Sequence, residues 1–182
     1  MAKKKLLLIL DRDGTVIEDR GYLGRNRSWR NEVRLRYDVI GLVSMLQEKY
    51  DATKIVITNQ SGVARGYFDS KRVEEINVHI DALLRQNSIR IDNWQYCPDV
   101  DADYAGLNKD IRFTKNHIMK TTRRKPGISM VRDGLKELGK KLGDFDEVIV
   151  IGDKKTDDGK LAENIGAKFV NVSLSPAAWK IK

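Results

Sequence analysis

The order of apolar runs along the 182 residues predicts an α/β fold: a Rossmann-like parallel sheet with helices on both faces. Three observations carry it. Short apolar runs of strand length recur, amphipathic stretches of helical period separate them, and three of the runs end in polar, reactive residues. A ligand site is therefore expected at the carboxyl ends of the strands.

Each element has its own warrant. Lys4 to Leu10 is a buried strand stopped by Asp11-Arg12-Asp13-Gly14-Thr15. Asp38 to Lys49 is a helix with Ile40, Val43 and Leu46 on one face. Lys54 to Thr58 is a second strand, closed by the turn residues Asn59-Gln60-Ser61-Gly62. Ser70 to Gln86 is a long helix capped by Ser70, with Val73, Ile76, Ile80, Leu83 and Leu84 inward. Ile91 to Cys97 is a third strand, and residues 98–125 read as a long loop. Gly127 to Leu142 is helical, and Glu147 to Ile151 is a fourth strand ending in Gly152-Asp153. A helix from Thr156 to Ile165 ends on Gly166, and Lys168 to Val172 is the last strand. The length suits a single domain, residues 1–182.

Composition narrows the class. Apolar residues make up 41% and charged residues 33%, as in an ordinary globular protein. The longest apolar run, Leu6 to Leu10, is far short of the ~20 residues of a membrane span, so no membrane partner is expected. Lys3-Lys4-Lys5 precedes that run, but Asp11 follows at once with no small-residue cleavage site, which argues against a secretion signal. Cys97 is the only cysteine, which rules out an internal disulfide and a cysteine-based zinc cage; a cytoplasmic location is the expectation. The net charge of +8 favours phosphorylated or polyanionic partners.

Two carboxylates two residues apart at the end of a buried strand, Asp11 and Asp13, repel one another unless a cation stands beside them. Magnesium suits such oxygen ligands and a phosphorylated substrate. Gly14 lets the chain turn so that both side chains face one site. Taken singly, the partners on other strand ends have structural explanations. Thr58 could simply finish a strand, Lys125 could be a solvated cation, Asp153 could sit near a helix N-cap, and Asp157 with Asp158 forms an alternative acidic pair.

Together, Asp11-Arg12-Asp13-Gly14-Thr15, Thr58-Asn59, Arg124-Lys125-Pro126 and Gly152-Asp153 resemble the four motifs of the haloacid-dehalogenase-like (HAD) phosphatases, in order, from Leu6 to about Val172. That resemblance implies roles. Asp11 would attack phosphorus and form an aspartyl-phosphate, and Asp13 would protonate the leaving oxygen and then activate water. Asp11, the Asp13 carbonyl and Asp153 would hold magnesium. Thr58 and Asn59 would hydrogen-bond the phosphoryl group, and Lys125 would neutralise charge. Asp157 is read as orienting Lys125 or the metal site.

The run Thr58-Asn59-Gln60-Ser61-Gly62-Val63-Ala64-Arg65-Gly66-Tyr67-Phe68 resembles the branch of heptose-bisphosphate and histidinol-phosphate phosphatases, closer to the former. By that likeness Arg65, Arg124 and Lys154 would bind substrate, and Gln60 and Ser61 would line the mouth. The stretch between Gly14 and Thr58 leaves no room for a cap domain. The branch's zinc loop is broken here. Asp99 stands where a histidine would be, and Thr121 and Arg123 where two cysteines would be, so no zinc is expected. His117 is expected to be a surface residue.

Two basic segments surround these motifs. Arg20 to Arg36 holds six arginines against Glu32, a net of +5, and Lys109 to Lys125 holds a net of +6. Both are expected to border the site as an electropositive funnel, with Trp29 and Tyr22 free to stack on a base or sugar. The expected function is magnesium-dependent hydrolysis of a small sugar or polyol phosphate. The alternative is a 3′-phosphatase of DNA or RNA ends, since an uncapped polynucleotide phosphatase shares the Thr-Asn-Gln and Arg-Lys-Pro motifs.

Overall fold

The computed structural model describes residues 2–179. Its main sheet has five parallel strands in the order β3-β2-β1-β6-β7. These are β1 (Lys5–Leu10), β2 (Asp51–Asn59), β3 (Asn93–Cys97), β6 (Glu147–Gly152) and β7 (Lys168–Asn171). β1 lies at the centre, and its side chains from Leu6 to Leu10 are at most 1% exposed. A central parallel strand is covered on both faces, which explains why it reads as an unbroken apolar run.

Alternate residues of β1 build two cores. Leu6, Leu8 and Leu10 pack with α1 (Tyr37–Lys49) and α3 (Ser70–Gln86) through Val43, Leu46, Ile76 and Ile80. Leu7 and Ile9 pack with α5 (Ser129–Glu137) and α6 (Lys160–Ile165) through Met130, Leu135 and Leu161. The period of two along the strand thus divides the molecule into layers.

Several boundaries differ from expectation. α3 has the expected span, but Asp69 caps it, accepting from Arg72 N at 2.8 Å. α5 begins only at Ser129 and ends at Glu137; Gly139 then turns the chain with φ +66. The last helix starts as a π-turn, Lys155–Gly159, before α6. A short helix, α2 (Ser61–Ala64), follows β2.

The supposed loop 98–125 carries structure. β4 (Val100–Asp101) pairs in parallel with β5 (Ile118–Met119), and α4 (Ala102–Leu107) lies between them. Local polar signals bracket α4: Asp101 at its start accepts from Tyr104 N at 2.6 Å, and Asn108 at its end donates to Tyr104 O at 2.8 Å. His117 Nδ1 lies 2.7 Å from Asp99 Oδ1, and the buried Cys97 thiol donates to Asp99 O at 3.7 Å. His117 is partly exposed, as expected of a surface residue, and the β4–β5 pairing carries it onto Asp99.

Between Gly14 and β2 the described chain holds only a 3-10 turn, Trp29–Glu32, and α1, and no cap covers the strand ends.

Candidate active site

Parallel pairing places the ends of β1, β2 and β6 side by side, and the sequence puts reactive groups just past each of them. Asp11 and Lys125 are buried there, and Lys125 Nζ donates to Asp11 Oδ1 and, at 2.6 Å, to Asp158 Oδ1. Asp158 also accepts from Lys154 N at 3.1 Å. Burial lowers the pKa of Lys125, but Asp11 and Asp158 outweigh it and the net shift is upward. The Asp11 carboxyl is pushed up to about 7: burial raises it most, Lys125 pulls against that, and Asp158 and Asp13 add to the rise. A cation beside Asp11 would hold it ionised at neutral pH.

Asp153, at the end of β6, supplies the place for one. Its pKa is raised, mainly by burial, and its Oδ1 is buried with no hydrogen-bond partner. Carboxylate oxygens of Asp11, Asp153 and Asp158 lie within 4.8 Å of one another, the one such cluster among the described residues. Asp158 accepts from Lys125 and the Lys154 amide, and Asp11 from Lys125 and, at 3.3 Å, from Thr15 Oγ1, so Asp153 is the member of the cluster with a buried oxygen left unpartnered. An orphan carboxylate oxygen beside a second carboxylate fits a hard divalent cation. Gly14 makes the approach possible: φ is +83, and a Cβ there would stand 2.8 Å from Asp153 Cγ.

Asp13 is gripped by four donors. Arg12 Nη2 and Nε donate at 2.9 and 3.2 Å, Gln60 Nε2 at 2.6 Å and Thr58 Oγ1 at 3.2 Å. Arg12 is fully buried, and its Nη1 donates to Asn77 Oδ1 on α3 at 2.8 Å. Thr58 and Gln60 were expected to face substrate; here both serve Asp13, although Gln60 also lines the pocket. Asn59 ties β2 to Lys125: Lys125 N donates to Asn59 Oδ1 at 3.0 Å, and Asn59 Nδ2 donates to Lys125 O at 3.2 Å.

Above this floor is a pocket of about 600 Å³, lined by Asp13, Gln60, Ser61, Arg124, Lys125 and Lys154 together with Tyr22 and Tyr104. Arg65 stands behind its wall, with its guanidinium over the rings of Tyr22 and Phe113, each at 5.2 Å.

Three expectations need correction. Asp158, not Asp157, positions Lys125; Asp157 only approaches Asn59 Nδ2, at 3.4 Å. The π-turn inserts one residue per turn and rotates 158 inward, which helical spacing does not foretell. Trp29 cannot stack on a ligand, since it is 1% exposed and packed in the core. Nor do the basic segments form one funnel. Arg36 donates to Gly14 O and Val172 O, Arg34 to Val33 O, and Arg123 pairs with Asp133. Arg25 and Arg27 line a separate groove. The sequence reading missed Arg12 and Asn77; the signal for Arg12 was a charged residue between Asp11 and Asp13.

This fold is shared with solved HAD-like phosphatases. The D,D-heptose 1,7-bisphosphate phosphatase of B. bronchiseptica, complexed with magnesium and phosphate, superposes with a TM-score of 0.67 and 26% identity, over 91% of this chain and 79% of that one. A HAD-like phosphatase of Mesorhizobium loti gives 0.70 and 26%, over 92% and 71%. No family model matches the sequence. Among curated proteins, the D-glycero-beta-D-manno-heptose-1,7-bisphosphate 7-phosphatase of Haemophilus influenzae is 31% identical over 163 residues, 88% of this chain and 76% of that protein. The chain belongs to the heptose-1,7-bisphosphate phosphatase family of HAD-like phosphatases, hydrolases of phosphate monoesters.

Proposed function

We propose that the chain is a magnesium-dependent phosphomonoesterase that hydrolyses a small phosphorylated sugar, of the heptose-bisphosphate kind, through an aspartyl-phosphate on Asp11. The observation that carries this reading is the buried Lys125 bridging Asp11 and Asp158 while Asp153, beside them, keeps one carboxylate oxygen without a partner.

Asp11 and Asp153, with the Asp13 carbonyl, would hold magnesium, which when bound would offset charge on the phosphoryl group. The Asp11 carboxylate attacks phosphorus, the bond from phosphorus to the sugar oxygen breaks, and Asp13 gives that oxygen a proton. Asp13, now a carboxylate held by Arg12, takes a proton from water as the water attacks the phosphoryl-enzyme, releasing phosphate and free Asp11. Lys125 stays protonated throughout and keeps the nucleophile aimed. Arg124 and Lys154, on the pocket wall, suit a second phosphate of the substrate.

Phosphate release from a panel of sugar phosphates tests this. Turnover is expected to stop on chelation, to return with magnesium, and to be absent in Asp11→Asn; metal-independent turnover would refute it.

A second reading, action on nucleic acid ends, has one observation in its favour. An open groove of about 800 Å³ beside the site is lined by Arg25, Arg27, Lys71, Arg72 and His117 against the single carboxylate of Asp69. A 3′-phosphorylated oligonucleotide would then bind with steep salt dependence, weakened by Arg27→Glu. Hydrolysis of heptose bisphosphate with no action on that oligonucleotide would reject it.

A further inference from the structure

The segment that occupies the position of the broken zinc loop delivers a side chain to the pocket. α4 projects Tyr104 into the pocket wall beside Arg124. The Arg124 guanidinium lies over the Tyr104 ring, 5.1 Å from its centroid. Arg65 approaches the same ring at 5.9 Å, and its Nη2 donates to the Tyr104 hydroxyl at 2.8 Å. Phe113 meets the Tyr104 ring edge-on at 6.1 Å. No carboxylate is paired with Arg124 among the described residues, and one of its guanidinium nitrogens is buried without an acceptor. Arg65 Nε is in the same condition. A guanidinium held against an aromatic face, still short of an acceptor and bordering a pocket, is prepared for an anion.

We propose that Tyr104 is a positioning residue that holds Arg124 against the pocket and thereby selects substrates carrying a second anionic group. The ring limits the rotamers of Arg124, and the Arg65–hydroxyl bond fixes the ring; the capped turn of α4 holds both in place. In this chain an arginine–tyrosine stack and the Asp99–His117 pair therefore order the segment before the catalytic lysine and set its contribution to specificity.

This proposal rests on the sugar-bisphosphate reading, and the test separates the two. KM and kcat are measured for heptose 1,7-bisphosphate and heptose 7-phosphate with the wild-type chain, Tyr104→Leu and Tyr104→Phe. The stack is expected to contribute roughly fivefold to tenfold, so Tyr104→Leu should raise KM for the bisphosphate by about that factor and leave kcat nearly unchanged. The monophosphate should be unaffected. Tyr104→Phe keeps the ring under Arg124 and should retain most of the preference. If both substrates weaken equally in Tyr104→Leu, or the bisphosphate KM does not move, the positioning role is refuted. A wild-type chain with no preference for the bisphosphate would refute the substrate reading itself, and this proposal with it.

Discussion

Replacing Gly14 with alanine tests the geometry of the cation site with a single methyl group. Gly14 sits at φ +83, where an L-residue is strained by about 1–2 kcal/mol. The new Cβ would stand 2.8 Å from Asp153 Cγ and closer still to one of its oxygens, whereas ordinary contact begins at 3.4 Å. The carboxyl must therefore withdraw by roughly 0.6 Å or more, and displacements approaching 1 Å at a reacting centre can cost about 10²-fold in rate. Asp153 is only half-buried, so it can move outward without breaking the core. The expected outcome is a stability loss of about 1–2 kcal/mol in urea denaturation, with magnesium needed at roughly tenfold or higher concentration to reach half-maximal activity. Gly14→Ala with the wild-type magnesium response would show that Asp153 does not hold the ion. A loss of folding much larger than the backbone strain would show that the clash is relieved elsewhere.

Further outcomes follow from other contacts. Arg12→Gln leaves Asp13 without its guanidinium and Asn77 Oδ1 without its donor, and should cost about 3–5 kcal/mol of stability in chemical denaturation. In the folded fraction, hydrolysis of alkyl phosphates should fall much more than that of aryl phosphates, because only the former need a well-placed acid; equal losses would contradict that role. Asp158→Asn removes one charge-assisted partner of Lys125 and should cost about 1.5–3 kcal/mol with a fall in kcat, while Asp157→Asn should stay close to wild type. Trp29→Ala empties a buried site and should cost about 3–5 kcal/mol by thermal unfolding; a soluble, equally stable variant with weakened ligand binding would restore Trp29 to the surface.

Much of the architecture was legible because its signals are local. β1 reads as a strand because both faces are covered, and α3 because its apolar positions recur at helical spacing over 17 residues. Asp11, Asp13, Lys125 and Asp153 could be singled out because each lies just past a strand or in a recognisable motif. What failed depended on tertiary placement. A π-turn decided between Asp157 and Asp158, and period counting assumes a regular helix. The arginines after β1 look alike in sequence, yet Arg36 clamps backbone carbonyls while Arg27 faces a groove. Trp29 lies amid charges and is still buried, because Arg30 and Arg72 lay their guanidinium groups over its ring. Residues 98–125 lack a long period since their order comes from a two-residue strand pair, a six-residue helix and the Asp99–His117 contact.

The central claim, that Asp11 carries the phosphoryl group, is tested most directly by acid-quenching the magnesium-loaded enzyme during turnover and mapping the modified peptide. One phosphoryl group is expected on Asp11, reducible by borohydride to homoserine at position 11, and none in Asp11→Asn. A phosphoryl group on another residue, or sustained magnesium-dependent turnover by Asp11→Asn, would contradict it.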